Sequence, residues 1–479
     1  MTCIDGRTYL DRINGLHNNV WINGKQILGK LSDHPAYKGA MTSQAKLYDF
    51  QQEQAMLDLL TYRSPQTGKR VAMSYLEPKT KEDLARRSHA FHLRARKHAG
   101  MMGRSPDYMN TVVMTFAACA DLFADSRGTQ NMRRYYAFCQ EHDISLTHTF
   151  IQPQVNRSAV YFENANDAIA ARMIEKNDQG IVIHGARLLA TQGGMTDEIM
   201  VFPTGAFHFD EAYAYAFCIP SNTPGLKFVA RESFDDRKNT YDHPLTSRFE
   251  EIDSVVIFDH VKVPWDRVFL HGDTEIAGKL YGESGFIPHQ VHHVTTKNIV
   301  KTEFILGTLQ SMIDAINIGE YQHIQEKMSE IIINLETLKA LLAASEAQAA
   351  RDQWGTMTPD RKPLMAAMNL FPKIYPRFVE IIQLVGASGL ISIPGEADFL
   401  SESGPELKKY LQSADRDGYE KVKLFRLAWD LSTSAFAGRQ TLYERFFFGD
   451  PVRLAGTLYR EYDRTEYVAW VKEFLDGKG

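Results

Sequence analysis

The chain has 479 residues, 44% hydrophobic and 24% charged, which is enough apolar material for several cores and about three domains of ordinary size. Lys and Arg number 54 against 59 Asp and Glu, so the net charge of −5 gives no electrostatic basis for binding nucleic acid. No apolar run reaches the roughly 18 residues of a membrane span, and the mixed, polar N-terminus is unlike a secretory signal. Cys3, Cys119, Cys139 and Cys218 are scattered, with no CxxC pair. Neither a disulfide framework nor a zinc–thiolate site is expected, and a reducing, cytoplasmic setting fits.

In chain order, residues 1–145 are predicted to be mainly helical after a loose start. Residues 80–99 lack glycine and proline and are rich in helix formers. Ser105, Pro106 and Asp107 have the order of an N-cap, a first helical residue and an acidic first turn. The helix they open is expected to run toward Asp125, with Val112, Phe116, Cys119, Ala120 and Phe123 on its apolar face.

Residues 146–272 are predicted to form a β barrel or sandwich. Residues 180–191 suggest two strands around a glycine turn. Residues 213–220 alternate around aromatics, and 254–264 suggest two short β-branched runs around Asp259 and His260. Residues 273–479 are predicted to be a helical bundle. Ile324, Met328, Ile331, Leu335, Leu338 and Leu342 mark one long helix, and 420–446 a second. The fold class expected from pattern is therefore α+β, in the order helical, β, helical.

No glycine-rich phosphate loop follows a strand, and the GxSxG and HExxH motifs are absent, so any redox cofactor must be held without a Rossmann fold. His289, His292 and His293 form a histidine cluster with no carboxylate signature beside it, and no metal site is expected there.

Several segments, in order along nearly the whole chain, resemble the 4-hydroxyphenylacetate 3-monooxygenase large-component family. They are HPAYKG at 34–39, GMMGRSPDY at 100–108, Thr147-His148, PQVNR at 153–157, GAR at 185–187, LTSRFEE at 245–251 and YERFFFGDPVR at 443–453. The resemblance implies an acyl-CoA dehydrogenase-like architecture, usually assembled as a tetramer. The sequence FDHVKVP at 258–264 is also similar to a turn common in that wider superfamily. The implied activity is hydroxylation of a phenol ortho to its hydroxyl by a flavin 4a-hydroperoxide, formed from reduced FAD and O2. The implied partner is a separate NAD(P)H:flavin reductase.

By spacing alone, Arg104 and Tyr108 belong to a helix cap, and His148 is a histidine at a seam. The resemblance places phenol binding and catalysis on Arg104, Tyr108 and His148. It places flavin contacts on His148, Gln154, Val155, Asn156, Arg157, Thr191, Asp450, Pro451, Val452 and Arg453. The segment at 383–389 is similar to one that meets FAD from a neighbouring subunit. His292, with His289 beside it, is a secondary substrate-binding candidate. Close relatives carry a Ser-Thr pair against the substrate's carboxylate arm, where this chain has Thr204-Gly205, and Gln192-Gly193-Gly194 follow Thr191. 4-Hydroxyphenylacetate is the expected substrate, with another phenol, a chlorophenol or a tyrosine-like compound as alternatives. An acyl-CoA dehydrogenase-type oxidoreductase and a non-catalytic flavin-binding scaffold are the competing readings.

Overall fold

The computed structural model describes residues 3–477 other than 66, 124, 154–168, 204–209 and 236. The first part of the chain carries α1 (Gly6–Leu16), α2 (Pro35–Phe50), the short α3 (Leu57–Leu60), α4 (Lys81–Lys97), α5 (Pro106–Ala118) and α6 (Ser126–His142). It also contains the hairpins β1 (Val20–Ile22) with β2 (Lys25–Gln26), and β3 (Thr61–Arg63) with β4 (Arg70–Ala72). Helix α4 opens on a capping box in which Thr80 and Asp83 exchange side-chain-to-backbone hydrogen bonds. Helix α5 stops at Ala118, before the expected end, and a 3-10 turn at Ala120–Phe123 completes the apolar stretch.

The middle strands are β5 (Leu146–Thr149), β6 (Arg172–Asn177), β7 (Gly180–Thr191), β8 (Glu198–Val201), β9 (Tyr215–Pro220), β10 (Leu226–Ala230), β11 (Asp253–Pro264) and β12 (Val268–His271). They form two sheets, ordered β2-β1-β10-β11-β7-β6 and β12-β9-β8-β5. Ile183, Val256, Phe258 and Val261 from the first sheet share one core with Ile199, Val201, Phe217 and Ile219 from the second. This is a sandwich. β1 pairs in parallel with β10, so the N-terminal segment lends two strands to the larger sheet.

Two expected turns are absent from this sandwich. Residues 180–191 form one strand, and Gly185, at φ +115°, bends the chain without reversing it. Residues 253–264 are likewise one strand, interrupted by a bulge at Asp259 and His260. A glycine inside a strand marks a bulge or bend as readily as a reversal.

After the one-turn α7 (Thr246–Phe249), which precedes β11, the later chain holds α8 (Thr274–Glu283), α9 (Phe286–Ala315), α10 (Gln322–Ala347) and α11 (Arg361–Gly386). Short α12 (Glu396–Phe399) and α13 (Gly404–Tyr410) follow, then α14 (Gly418–Ser432), α15 (Ala435–Phe446), α16 (Pro451–Glu461) and α17 (Thr465–Leu475). Leu309, Ile331, Leu335, Phe378, Ile382, Phe425 and Phe436 build the bundle core. The helix expected over 420–446 is two helices, because Ser434 caps a new one by accepting from the Ala437 N–H at 3.1 Å. α16 and α17 contain no buried residue; Trp470 is 70% and Leu475 77% exposed. The order helical, β, helical is the one an acyl-CoA dehydrogenase-like α+β architecture implies. No helix of the described residues is long and apolar enough to cross a membrane, and all four cysteines are buried and unpaired.

Candidate active site

The loop between α4 and α5 is shaped by what surrounds it. Ala99 and Gly100 both take positive φ, 52° and 69°. A Cβ on Gly100 would lie 2.7 Å from Lys301 Cβ, and one on Gly103 would lie 2.1 Å from Tyr443 Oη. Glycine is required at both places because α9 and α15 press against the loop. His98 Nδ1 accepts from the Met102 N–H at 3.2 Å, and burial, helped by Lys297 and Lys301, holds this imidazole down to about 3, so it remains a neutral acceptor.

The loop is also gripped from the β layer. The Glu251 carboxylate accepts from the Gly103 N–H at 2.7 Å, the Arg104 N–H at 2.8 Å and Gln192 Nε2 at 2.9 Å. Arg439 from α15 lies 3.8 Å from the same carboxylate and forms a paired contact with Asp253 at 2.7 and 3.0 Å. Burial pushes Glu251 up, opposed by Arg439 and the two backbone N–H groups. One carboxylate thus joins the α4–α5 loop, the sandwich and the bundle.

Ser105 sits at the N-cap of α5 with Pro106 at the first helical position, but its side chain makes no capping hydrogen bond. Asp107 is fully buried against Arg94 Nε at 3.2 Å, and burial pushes its carboxyl up to about 6. The expected acidic first turn is therefore a clamp onto α4 rather than an exposed charge.

This scaffold delivers Arg104, Tyr108 and His148 to one place. The Arg104 guanidinium lies 4.2 Å from the Tyr108 ring centre and 4.7 Å from that of Phe447. Tyr108 stacks on His148, centroids 5.6 Å apart, and His148 stacks on Phe150 at 5.5 Å. Phe202 lies 6.0 Å from His148, and Phe447 meets the Tyr108 ring edge-on at 5.8 Å. Burial, with Arg104 adding to it, holds His148 well below the usual imidazole range, and burial raises the Tyr108 phenol. His148 Nδ1 and Arg104 Nε are buried and make no hydrogen bond among the described residues. Such atoms are costly unless a ligand completes them.

Behind this cluster, Tyr443 lies between two guanidiniums, 5.6 Å from Arg104 and 4.1 Å from Arg439. Glu444 accepts from Lys297 at 2.6 Å and Lys301 at 2.5 Å. Burial alone would raise Glu444, but the two ammonium groups overcome it and bring the carboxyl down to about 2.

The other expected residues fall as follows. Thr191 is buried; its hydroxyl donates to Asp253 at 2.8 Å and its carbonyl accepts from Thr147 Oγ1 at 2.6 Å. His292 turns away from the cluster to Glu346 at 2.8 Å, whereas His293 lies 5.9 Å from the Tyr108 ring. Successive residues of a helix are turned by about 100°, so His293 packs on Phe91 of α4 at 4.7 Å and reaches Tyr108 of α5, while His292 meets Phe91 only at 6.3 Å and points to α10. His289 meets Arg87 and Thr358, each at 3.3 Å. Asp450 caps α16 by accepting from the Val452 N–H at 2.8 Å; Val452 and Arg453 are exposed and Pro451 is half-buried. Gln154, Val155, Asn156, Arg157, Thr204 and Gly205 lie outside the described residues.

Tyr443, Phe447, Phe150, Phe202, His293 and Glu251 carry no assigned role at the level of sequence. Tyr443, Phe447 and Glu251 lie within the quoted segments, which is the one signal that marks them.

The layers define an α+β protein that holds a guanidinium, a phenol and an imidazole buried among phenylalanines. Residues 5–270 match the model for the 4-hydroxyphenylacetate 3-hydroxylase N terminal region, and residues 277–476 match that for the C terminal region. The chain belongs to this family. It is 48% identical to a probable 4-hydroxyphenylacetate 3-monooxygenase of Bacillus subtilis, over 99% of each chain. It is 43% identical to the 4-hydroxyphenylacetate 3-monooxygenase oxygenase component of Thermus thermophilus, over 98% of this chain and 97% of that one. A crystal structure of such an oxygenase component complexed with FAD and 4-hydroxyphenylacetate is similar at a TM-score of 0.95 and 42% identity, covering 99% of this chain and 98% of that chain.

Proposed function

We propose that this protein is the oxygenase component of a two-component monooxygenase that hydroxylates 4-hydroxyphenylacetate beside its hydroxyl, giving 3,4-dihydroxyphenylacetate, with reduced FAD and O2. The observation that carries this reading is the buried Arg104–Tyr108–His148 cluster. A neutral His148 is ready to take up the phenol proton. The Arg104 guanidinium then stabilises the phenolate, which makes the adjacent ring carbon electron-rich. Tyr108 offers its hydroxyl to the same oxygen. Phe150, Phe202 and Phe447 exclude water around the ring.

The residues present suit a flavin. His148 Nδ1, Thr149 Oγ1 and Gln152 Oε1, along one stretch of chain, and Gln192 Oε1 are buried polar atoms without a hydrogen bond among the described residues. A flavin ring edge, with its alternating donors and acceptors, supplies partners of the kind these atoms lack. The exposed N-terminus of α16, with Arg453, offers positive charge to the pyrophosphate. Bound reduced FAD, with O2, supplies the electrophilic oxygen.

A separate NAD(P)H:flavin reductase supplies the reduced FAD. The chain works in the cytoplasm as a homotetramer; the exposed apolar side chains of α16 and α17, Tyr459, Trp470, Phe474 and Leu475 among them, support assembly.

The test is to mix the purified protein with reduced FAD and 4-hydroxyphenylacetate without oxygen, then admit air. Near-stoichiometric 3,4-dihydroxyphenylacetate is expected. Hydrogen peroxide alone, across a panel of para-substituted phenols, would overturn the reading.

A pH dependence follows from His148. Its pKa in the folded chain lies below the unfolded value, so the unfolded state takes the proton first. Its contribution to stability is therefore full above about 6.5 and is lost progressively as pH falls from there toward the lowered folded value, an interval in which the folded imidazole stays a free base. kcat/KM is expected to show no acid limb near that pH. An inflection there that disappears in His148→Asn would contradict a neutral His148.

A further inference from the structure

Outside these residues, the bulge between β7 and β11 brings together three side chains with ligand atoms. Phe258 stands opposite Gly185 and Val261 opposite Ile183, so Asp259 and His260 share the single facing residue His184. In a regular strand, adjacent side chains point to opposite faces. Here His260 takes φ 51°, and its Nδ1 lies 2.8 Å from Asp259 Oδ1. The His184 ring lies 4.4 Å from that of His260, and His184 Nδ1 is 3.7 Å from Asp259 Oδ1, with no hydrogen bond of its own among the described residues. One ligand atom from each of the three lies within 4.8 Å of the others.

The bulge is held firmly. The Asp259 N–H donates to the Gly225 carbonyl at 2.9 Å, and a Cβ on Gly225 would approach the Asp259 carbonyl to 2.3 Å. Phe258 and Val261 on either side are buried in the sandwich. The positive-φ place in such a bulge ordinarily belongs to glycine. A histidine there carries backbone strain, and strain of this kind gathers where a side chain is being aimed.

We propose that His184, Asp259 and His260 form a site for one divalent ion of the zinc class, with the remaining coordination taken by water. Two imidazoles with a single carboxylate favour zinc, copper or nickel over magnesium or calcium. Ligand atoms around zinc must come to roughly 3.3 Å of one another, which follows from metal–ligand bonds of about 2.0–2.1 Å. The exposed His260 and Asp259 side chains are free to make that adjustment. The ion takes the place of the proton between His260 and Asp259 and ties β7 to β11 across the irregularity in their ladder.

The test is titration calorimetry of the full-length protein with Zn2+ near neutral pH, repeated on His184→Asn and His260→Gly. One ion per chain is expected for the native protein, bound at least about tenfold more weakly by each variant. His260→Gly relieves the backbone strain, so without metal its thermal midpoint is expected to equal or exceed that of the native protein. Added Zn2+ should raise the midpoint of the native protein and not of the variant. Excess Mg2+ should not displace the zinc. Absence of saturable binding, or equal binding by native protein and both variants, would overturn the proposal, as would displacement by Mg2+.

Discussion

Replacing Arg104 by alanine is expected to lower hydroxylation of 4-hydroxyphenylacetate by about a thousandfold while leaving the chain folded. The two halves of this expectation have different physical origins. The guanidinium is buried among Tyr108, Phe447 and Tyr443 and has no ion pair among the described residues. Its side-chain hydrogen bond is to its own neighbour, the Gly103 carbonyl, at 3.1 Å. Removing it therefore strands no opposite charge, and the backbone N–H that anchors the loop to Glu251 is untouched. On the proposed reading the lost donors meet charge as it develops on the phenol oxygen, so kcat should fall more than KM rises. Arg104→Lys keeps the charge but not the flat donor fork that stacks on Tyr108, and should recover only part of the rate. Steady-state product formation with excess reduced FAD, beside a thermal melt, measures both halves. Near-native turnover in Arg104→Ala would remove Arg104 from the chemistry.

The layers were legible because each depends on a period in the sequence. The apolar stripe from Ile324 to Leu342 and the β-branched runs around Asp259 announce a helix and strands by themselves. Reversals were less legible. Gly185 could have opened a turn, and what keeps the strand continuous is its pairing with β11, a contact between residues far apart in the chain. The two strands at 20–26 are too short to show a period, and their partner β10 lies some two hundred residues on.

Quoted segments of the family turn out to serve position as much as chemistry. In HPAYKG, His34 and Pro35 start α2, and Gly39 passes so close to the Ser247 carbonyl that a Cβ would be 2.1 Å from it. Ser247 belongs to LTSRFEE, whose Leu245 and Thr246 N–H groups donate to Asp430 of α14, both at 2.8 Å. These two motifs therefore meet, and the second joins the sandwich to the bundle. Arg104, Tyr108 and His148, which the resemblance names for the phenol, come from two separate stretches and lie together in the fold. The aromatic walls were hidden, because Phe150, Phe202 and Phe447 come from three separate stretches and resemble any core residue. His292 and His293 were inseparable in sequence; only the packing of α9 between α10 and α5 decides which one faces Tyr108.

The Glu251 carboxylate should prove as necessary as Arg104, for a different reason. Glu251→Ala leaves the Gly103 and Arg104 N–H groups and the Gln192 amide without their acceptor in a buried place. It also takes one of two carboxylates from beside Arg439, which keeps Asp253. Breaking a buried charged contact of this kind costs about 3–5 kcal/mol. The loss falls on the loop that sets Arg104, and displacement of a reacting group by about 1 Å is enough for a hundredfold loss of rate. Glu251→Ala is thus expected to lower both the melting temperature and kcat, by at least about a hundredfold for kcat. Glu251→Gln keeps the volume and one acceptor oxygen, enough for Arg104 and Gln192, but turns its amide nitrogen toward the Gly103 N–H, so it should recover part of the stability. The two variants separate anchoring from chemistry. Stability restored by glutamine together with most of the rate would mean that Glu251 acts by holding Gly103 and Arg104 in place. Stability restored with the rate still lost would mean that its negative charge beside Arg439 acts on the reaction itself, and the positioning role would be wrong.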